Sequence, residues 1–156
     1  MKFIVLAVVI ALAVFYFNRN SNNKKLAVEN TATGKAFLTK NKANEDVVET
    51  ATGLQYQVMQ KGDGETHPSA TSTVKVHYHG TLLDGTVFDS SVNRGQPISF
   101  PLNQVIAGWT EGVQLMVVGD KFKFFIPANL AYGDHATGNI SPGSLLIFEV
   151  ELLEIQ

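Results

Sequence analysis

Residues 51–156 alternate apolar and polar side chains in short runs, and this period of two constrains the fold more than any other feature. The clearest runs are residues 74–79, 121–126 and 145–155. Successive side chains of a strand point to opposite faces, so each run predicts a strand with one buried face. Turn signals at residues 62–64 and 83–86 separate such runs. The pattern predicts an α+β domain, with an antiparallel sheet of about five strands against one short helix.

The short helix is predicted at residues 105–112, a segment that contains Trp109, the only tryptophan of the chain. Gly108 and Gly112 bracket it, and Val105, Ile106 and Trp109 recur at helical spacing. A single tryptophan can be a core anchor, or it can form the floor of a pocket for an apolar ring. This segment alone leaves both interpretations open.

An unbroken apolar run of 15 residues, 3–17, lies between Lys2 and Arg19. It is shorter than the roughly 20 residues of a typical spanning helix, although flanking cations can extend to the interface. We therefore predict a membrane anchor over residues 1–18, with a cleaved signal peptide as the alternative because residues 11–13 fit a small-x-small cleavage site. Cations on both flanks leave the orientation open.

Residues 19–50 are polar and rich in asparagine, which predicts a tether with a short helix near residues 34–43. Residues 51–156, the predicted folded domain, carry five Lys and Arg against ten Asp and Glu. A slightly acidic domain without a basic cluster argues against nucleic acid as a partner. The absence of cysteine excludes disulfides and thiolate sites.

The sequence gives little support for the motifs of metal-dependent, nucleophilic or nucleotide-dependent catalysis. His77 and His79 share one strand face and could bind a metal ion, but no third ligand is apparent, so a solvated strand face is the better interpretation. Ser90 and Ser91 lack the Gly-x-Ser-x-Gly setting of a nucleophile elbow. The sequence contains neither a Gly-x4-Gly-Lys-Ser/Thr phosphate-binding loop nor the Gly-x-Gly-x-x-Gly pattern of dinucleotide-binding folds. We therefore predict no metal ion and no cofactor.

Five segments, taken together, resemble the FK506-binding protein (FKBP) type of peptidyl-prolyl cis-trans isomerase. They are residues 74–80 (VKVHYHG), 85–91 (GTVFDSS), 105–112 (VIAGWTEG), 131–133 (AYG) and 148–153 (FEVELL). The resemblance covers about residues 51–156. The lead-in at residues 51–56 is similar to the bacterial macrophage-infectivity-potentiator branch of this family.

The resemblance implies an apolar proline pocket built from eleven residues. Trp109 would form its floor, with Tyr78, Phe88 and Phe148 as walls, Val105 and Ile106 at the rim, Ile98 in a wall position and Ile140 on the overhanging loop. Asp89 would sit beside the target carbonyl with Arg94 as its partner, while the Tyr132 hydroxyl and the Ile106 backbone N–H would contact the substrate. Asp89, Tyr132, Ile106 and Phe88 are the catalytic candidates, and the others are candidates for substrate binding.

Three departures from the family pattern accompany the resemblance. Ile98 stands where relatives carry a second phenylalanine, which predicts a less aromatic wall. Gln104 replaces a common acidic residue, which weakens the expectation that FK506-type macrolides bind. The loop at residues 134–141 aligns poorly, so His135 receives no role.

The implied function is acceleration of X–Pro rotation in client polypeptides, assisting protein folding in the cell envelope. The alternative is a non-catalytic module or chaperone of the same fold that binds proline-bearing or apolar segments. Only about residues 34–49 could stand in for the long dimerisation helix of the potentiator branch, which predicts a monomer. We expect an inner-membrane anchor with a periplasmic domain; the cytoplasmic face, or a cleaved and soluble periplasmic form, are the alternatives.

Overall fold

A computed structural model describes residues 2–156, with side chains described from Val5 onward. Met1 and the side chains at the start of the predicted anchor 1–18 lie outside the described residues. The elements, in chain order, are helix α1 (Lys2–Asn41), strands β1 (Val47–Glu49), β2 (Gln55–Gln60), β3 (Thr73–Thr81) and β4 (Val87–Ser90), helix α2 (Ser91–Arg94), strand β5 (Ile98–Pro101), helix α3 (Ala107–Val113), and strands β6 (Lys121–Ile126) and β7 (Leu146–Ile155). Two 3₁₀ turns, Leu102–Gln104 and Ala128–Leu130, precede α3 and follow β6.

The strands form one antiparallel sheet in the order β1-β2-β6-β7-β3-β4, and β5 pairs with β3 next to β4. The predicted α+β class is confirmed, although the sheet has seven strands and not about five. Two short strands share one edge of β3, because β5 pairs with its first half and β4 with its end. The three-residue strand β1 lies before the alternating region, which is why the pattern did not reveal it.

The alternation of β3 divides its two faces as the sequence indicates. Val74, Val76 and Tyr78 are buried in the core, whereas the side chains between them are only half-buried. On the outer face, His77 lies opposite Glu151 and His79 lies opposite Glu149. The buried face is therefore the one that supports α3 and the candidate site.

Helix α3 lies close to the sheet because two glycines occupy its contact face. A Cβ atom on Gly108 would lie 2.5 Å from Ile126 Cγ2, and one on Gly112 would lie 2.6 Å from Phe124 Cε1. Residues four apart share one helix face, so both glycines meet β6. This close approach leaves Trp109, between them, fully within the core cluster.

The prediction of a polar tether with a short helix is wrong for residues 19–41, because α1 continues without a break from Lys2 to Asn41. Contacts with the domain explain the helix. Ala27 is buried, a Cβ on Gly34 would lie 3.2 Å from Leu145 Cβ, and the rings of Phe37 and Phe125 lie 5.7 Å apart. Tertiary packing on one face stabilises a helix that an asparagine-rich composition alone would not form.

Residues 5–17 of α1, whose side chains the structure describes, make no comparable contacts. Its large apolar side chains from Val5 to Phe17 are between 53% and 68% exposed. The helix is long enough to cross a membrane, and its first part is apolar enough, by length and composition. A signal sequence near an N-terminus has the same properties, so this observation leaves both interpretations of the segment open.

Candidate active site

A cavity of ≈ 600 Å³ opens between α3, the buried face of the sheet and the loop after β6. Three aromatic rings surround the indole of Trp109, which is 4% exposed. Tyr78, Phe100 and Phe148 meet it edge to face, with ring centroids 5.4, 5.6 and 5.3 Å away. Such pairs contribute about 0.5–1.5 kcal/mol each beyond burial, so they help to hold the indole in this orientation.

Gly80 on β3 allows two further rings to form a wall. Phe88 and Phe148 pack edge to face at 5.3 Å. A Cβ on Gly80 would lie 2.7 Å from Phe88 Cζ and 2.8 Å from Phe148 Cε1. A side chain at this position would displace both rings from the wall.

A charged pair lies at the mouth of the cavity. Asp89 Oδ1 accepts a hydrogen bond from Arg94 Nη1 at 2.5 Å, and Asp89 Oδ2 accepts one from the Tyr78 hydroxyl at 2.6 Å. Arg94 Nη2 also donates to the Tyr78 oxygen at 3.0 Å. The carboxylate is thus held in place by two donors from different elements.

These contacts set the protonation states of Asp89 and Tyr78. Partial burial opposes ionisation of Asp89, but the hydrogen bonds from Tyr78 and Arg94 outweigh it and lower its pKa below the usual value. Burial, followed by the hydrogen bond to Asp89, raises the pKa of Tyr78 above its ordinary value. Asp89 is therefore an anion and Tyr78 a neutral donor throughout the neutral pH range.

The one-turn helix α2 fixes Arg94 by local capping. The Ser90 hydroxyl at the N-cap accepts a hydrogen bond from Asn93 N–H at 3.0 Å, and Gly95 ends the helix in the left-handed conformation. The Ser91 hydroxyl accepts a hydrogen bond from Tyr78 N–H at 2.7 Å. Helix α2 thus ties the arginine to the strand that carries the tyrosine.

The two histidines of β3 contact the same helix. His77 Nδ1 lies 2.6 Å from the Ser91 hydroxyl, and His79 Nδ1 lies 2.8 Å from the Ser90 hydroxyl. Within residues 2–156, no group of three His, Asp or Glu side chains is arranged to hold a metal ion.

The rim of the cavity combines backbone and loop atoms. For the N–H of Ile106, just before α3, no backbone acceptor is found in the part of the chain that the structure describes. Tyr132 lines the cavity and is 39% exposed, while Ile140 reaches in from the overhanging loop and is 6% exposed. Backbone hydrogen bonds between Thr137 and Ile140 in both directions close the tip of that loop.

The structure brings nine of the eleven sequence-predicted residues to this cavity: Tyr78, Phe88, Asp89, Val105, Ile106, Trp109, Tyr132, Ile140 and Phe148. Arg94 lies behind Asp89 and does not line the cavity, although it holds the carboxylate.

Ile98 does not line the cavity either; it packs against the core. Phe100, two residues further along the same face of β5, lines it instead, so the aromatic wall is supplied from a shifted position. The period of two along β5 could have revealed Phe100. Sequence reasoning also missed Thr137, Gly138 and Asn139, which come from an irregular loop without a pattern. His135 is exposed on this loop and does not reach the cavity.

Known proteins share both the sequence and this architecture. A family model described as FKBP-type peptidyl-prolyl cis-trans isomerase matches residues 64–153. A second, described as the domain amino terminal to FKBP-type peptidyl-prolyl isomerase, matches residues 9–58. An FKBP-type peptidyl-prolyl cis-trans isomerase FkpA of Aeromonas hydrophila is 60% identical over 132 residues, covering 85% of this chain and 49% of the relative. The outer membrane protein MIP of Legionella longbeachae is 45% identical over 139 residues, covering 88% of this chain and 59% of the relative.

Solved structures agree with these matches. The crystal structure of FkpA from Escherichia coli has a TM-score of 0.85 at 42% identity, covering 96% of this chain and 71% of that chain. A peptidyl-prolyl cis-trans isomerase from Pseudomonas syringae pv. tomato has a TM-score of 0.76 at 36% identity, covering 83% and 96%. The chain spans about half the length of the curated relatives it matches first, 49% for two FkpA proteins. On these matches, the chain belongs to the FKBP-type peptidyl-prolyl cis-trans isomerase family.

Proposed function

We propose that this chain is a peptidyl-prolyl cis-trans isomerase that accelerates rotation about X–Pro bonds in client polypeptides. The observation that carries the proposal is the aromatic cavity with Trp109 at its floor and the ionised Asp89 at its mouth. The isomerase names of the matched relatives support the same activity.

Rotation about an X–Pro bond breaks no covalent bond, and its barrier of about 18–20 kcal/mol comes from amide resonance. Whatever stabilises the twisted amide over the planar one lowers this barrier. An apolar cavity removes water from the amide carbonyl, and water favours the charge-separated planar form. Lowering the barrier by about 4–5 kcal/mol would accelerate rotation by roughly three orders of magnitude. Such a mechanism needs no general acid or base.

The rim residues have separate roles in this proposal. The proline ring binds over Trp109, with Phe88 as a wall. Asp89 lies beside the rotating carbonyl, where its fixed charge acts on the amide dipole. The Ile106 N–H holds a neighbouring peptide carbonyl, and the Tyr132 hydroxyl donates to the substrate. An FK506-type macrolide would occupy the same cavity.

A protease-coupled assay with a proline-containing test peptide, on the full chain in detergent micelles, tests the activity. We expect Asp89→Leu to lower kcat/KM by about tenfold, which corresponds to about 1.4 kcal/mol of transition-state stabilisation. Asp46→Leu removes a carboxylate from an exposed position outside the cavity and serves as the matched control. A wild-type rate in Asp89→Leu would contradict the role of Asp89.

The second candidate function is a module that binds proline-bearing or apolar segments without turnover, as a chaperone would. The apolar cavity also favours this function, because it can hold a proline ring regardless of rotation. Tight peptide binding by fluorescence, without any acceleration in the coupled assay, would support the module and contradict the isomerase.

We further propose that the chain acts in the cell envelope, with residues 3–17 in the inner membrane and the domain in the periplasm. The exposed apolar side chains of α1 support an anchor. An envelope location is supported by one matched relative, which is named an outer membrane protein. A reporter fused after Gln156 that is active only on the periplasmic side is the expected result. Activity on the cytoplasmic side would reverse the orientation, and a soluble, shortened chain would indicate cleavage.

A further inference from the structure

The loop between Gly133 and Gly143 has a second face, turned away from the cavity. Its tip, Thr137 to Ile140, lines the cavity. Its two ends are joined by a hydrogen bond from Gly143 N–H to the Gly133 carbonyl at 2.8 Å. Beyond the tip, Pro142 and Gly143 are buried. What covers them is therefore in a position to influence the cavity.

The covering element is helix α1. Asn30 Nδ2 donates a hydrogen bond to the Pro142 carbonyl at 2.9 Å, across 112 residues of sequence. Gly143 lies so close to the helix that a Cβ atom on it would be 2.4 Å from the Ala27 carbonyl oxygen. One polar contact and one tight backbone contact thus fasten the same end of the loop.

We propose that Asn30 is a positioning residue for substrate binding, because it holds the loop end that carries Ile140 over the cavity. The proposal rests on the isomerase function proposed above. Pro142 has no N–H, so its carbonyl is its one backbone hydrogen-bonding group, and the Asn30 side chain ties that carbonyl to the helix. Ile140, only two residues earlier, is almost fully buried at the cavity.

The physical effect follows from conformational entropy. The loop tip is closed by backbone bonds between Thr137 and Ile140, and Asn30 limits where this closed tip can lie. Without the helix contact, the wall formed by Ile140 is present in only a fraction of molecules, and apparent affinity falls by that fraction. Asp89 and Trp109 are unaffected, so kcat, the turnover rate of bound substrate, does not change.

Asn30→Leu tests this with a neutral side chain of similar size that lacks the N–H donor. In the full chain in detergent micelles, we expect KM for a proline test peptide to rise by about three- to tenfold, as for loss of one ordinary hydrogen bond, with kcat unchanged. Hydrogen exchange at the Thr137 and Ile140 amides should accelerate by a similar factor, while exchange at Val150 in the core stays constant. Asn20→Leu, at an exposed position of the same helix, is the matched control.

Three outcomes would overturn the proposal. One is an unchanged KM together with unchanged exchange at the loop tip. Another is a fall in kcat without a rise in KM. The third is faster exchange at Val150 as well as in the loop, which would assign Asn30 a general structural role. If the wild-type chain shows no isomerase activity, the proposed function fails. Peptide affinity and hydrogen exchange in the loop would still test whether Asn30 positions the loop.

Discussion

The two halves of helix α1 behave in opposite ways. The apolar half, residues 5–17, is the most hydrophobic stretch of the chain, yet its side chains are exposed. The docked half, residues 27–41, is rich in polar residues, yet Ala27 and Asn41 are buried. Hydrophobicity alone therefore does not decide which part of this helix packs on the domain.

The difference lies in the arrangement of side chains around the helix. In the docked half, Ala27, Gly34 and Asn41 recur every seven residues, which keeps them on one face toward the domain. Small residues on that face admit the backbone of Gly143 and the side chain of Leu145. The apolar half is hydrophobic all around, so no single surface could bury it. Such a segment suits a surrounding that is apolar on all sides, which is why we propose a bilayer.

The largest effect should come from charges placed in the apolar half. Val9→Asp combined with Leu12→Asp should abolish membrane association, because each aspartate at a helix centre costs about 2.5–3.5 kcal/mol on insertion scales. Flotation with lipid vesicles measures the bound fraction. Domain stability in detergent should be unchanged, since both side chains are more than half exposed. Full flotation of the double variant would contradict a spanning or inserted segment.

The next effect should come from the docked half. Gly143→Ala places a Cβ atom against Ala27 at a residue with φ 74°, and it should destabilise the docked domain by about 2–5 kcal/mol through strain and overpacking. Urea denaturation followed by circular dichroism measures the loss. Gly85→Ala is the control, because its φ is also positive but nothing lies within 4 Å of the added atom. Equal losses in both variants would mean that the contact with α1 contributes nothing.

Much of the domain was predictable because burial and strand geometry produce a visible period of two. That period located β3, β6 and β7, and the five family-like segments located most of the cavity. Ile98, which was predicted to form part of the pocket wall, does not line the cavity. The side chain at that position packs in the core, and Phe100 supplies the aromatic ring from the next residue on the same face.

Helix α1 was the least predictable element, since its continuity depends on contacts with residues more than a hundred positions away. Its asparagine-rich middle has low helix propensity, and local sequence therefore favoured a tether. The loop residues Thr137, Gly138 and Asn139 were missed for a related reason, because an irregular loop has no period from which its inward side chains could be inferred.

A third prediction concerns the end of the docked half, where the contact is polar. Gln55 is fully buried; its Oε1 accepts from Asn41 Nδ2, and its Nε2 donates to the Leu38 carbonyl and to Glu49. Gln55→Met keeps the size but leaves these groups without their partner, so we expect a loss of about 1–3 kcal/mol in unfolding free energy. Urea denaturation is again the measurement. Gln57→Met, on the same strand and half-buried, is the control, and equal effects would show that the network does not hold the helix.

The smallest effect is expected where the docked half begins, on the side of the helix that faces solvent. Lys25 and Glu29 form an ion pair of 3.9 Å with side chains 77% and 59% exposed. Exposed pairs four residues apart contribute about 0.3–0.5 kcal/mol, and alanine has a higher helix propensity than lysine, so Lys25→Ala should change the unfolding free energy by less than about 0.5 kcal/mol. Urea denaturation at low and high salt checks this. A loss above about 1 kcal/mol would exceed what an exposed pair supplies. It would mean that this segment is covered by another surface in solution, and the helix would then have three distinct environments where we describe two.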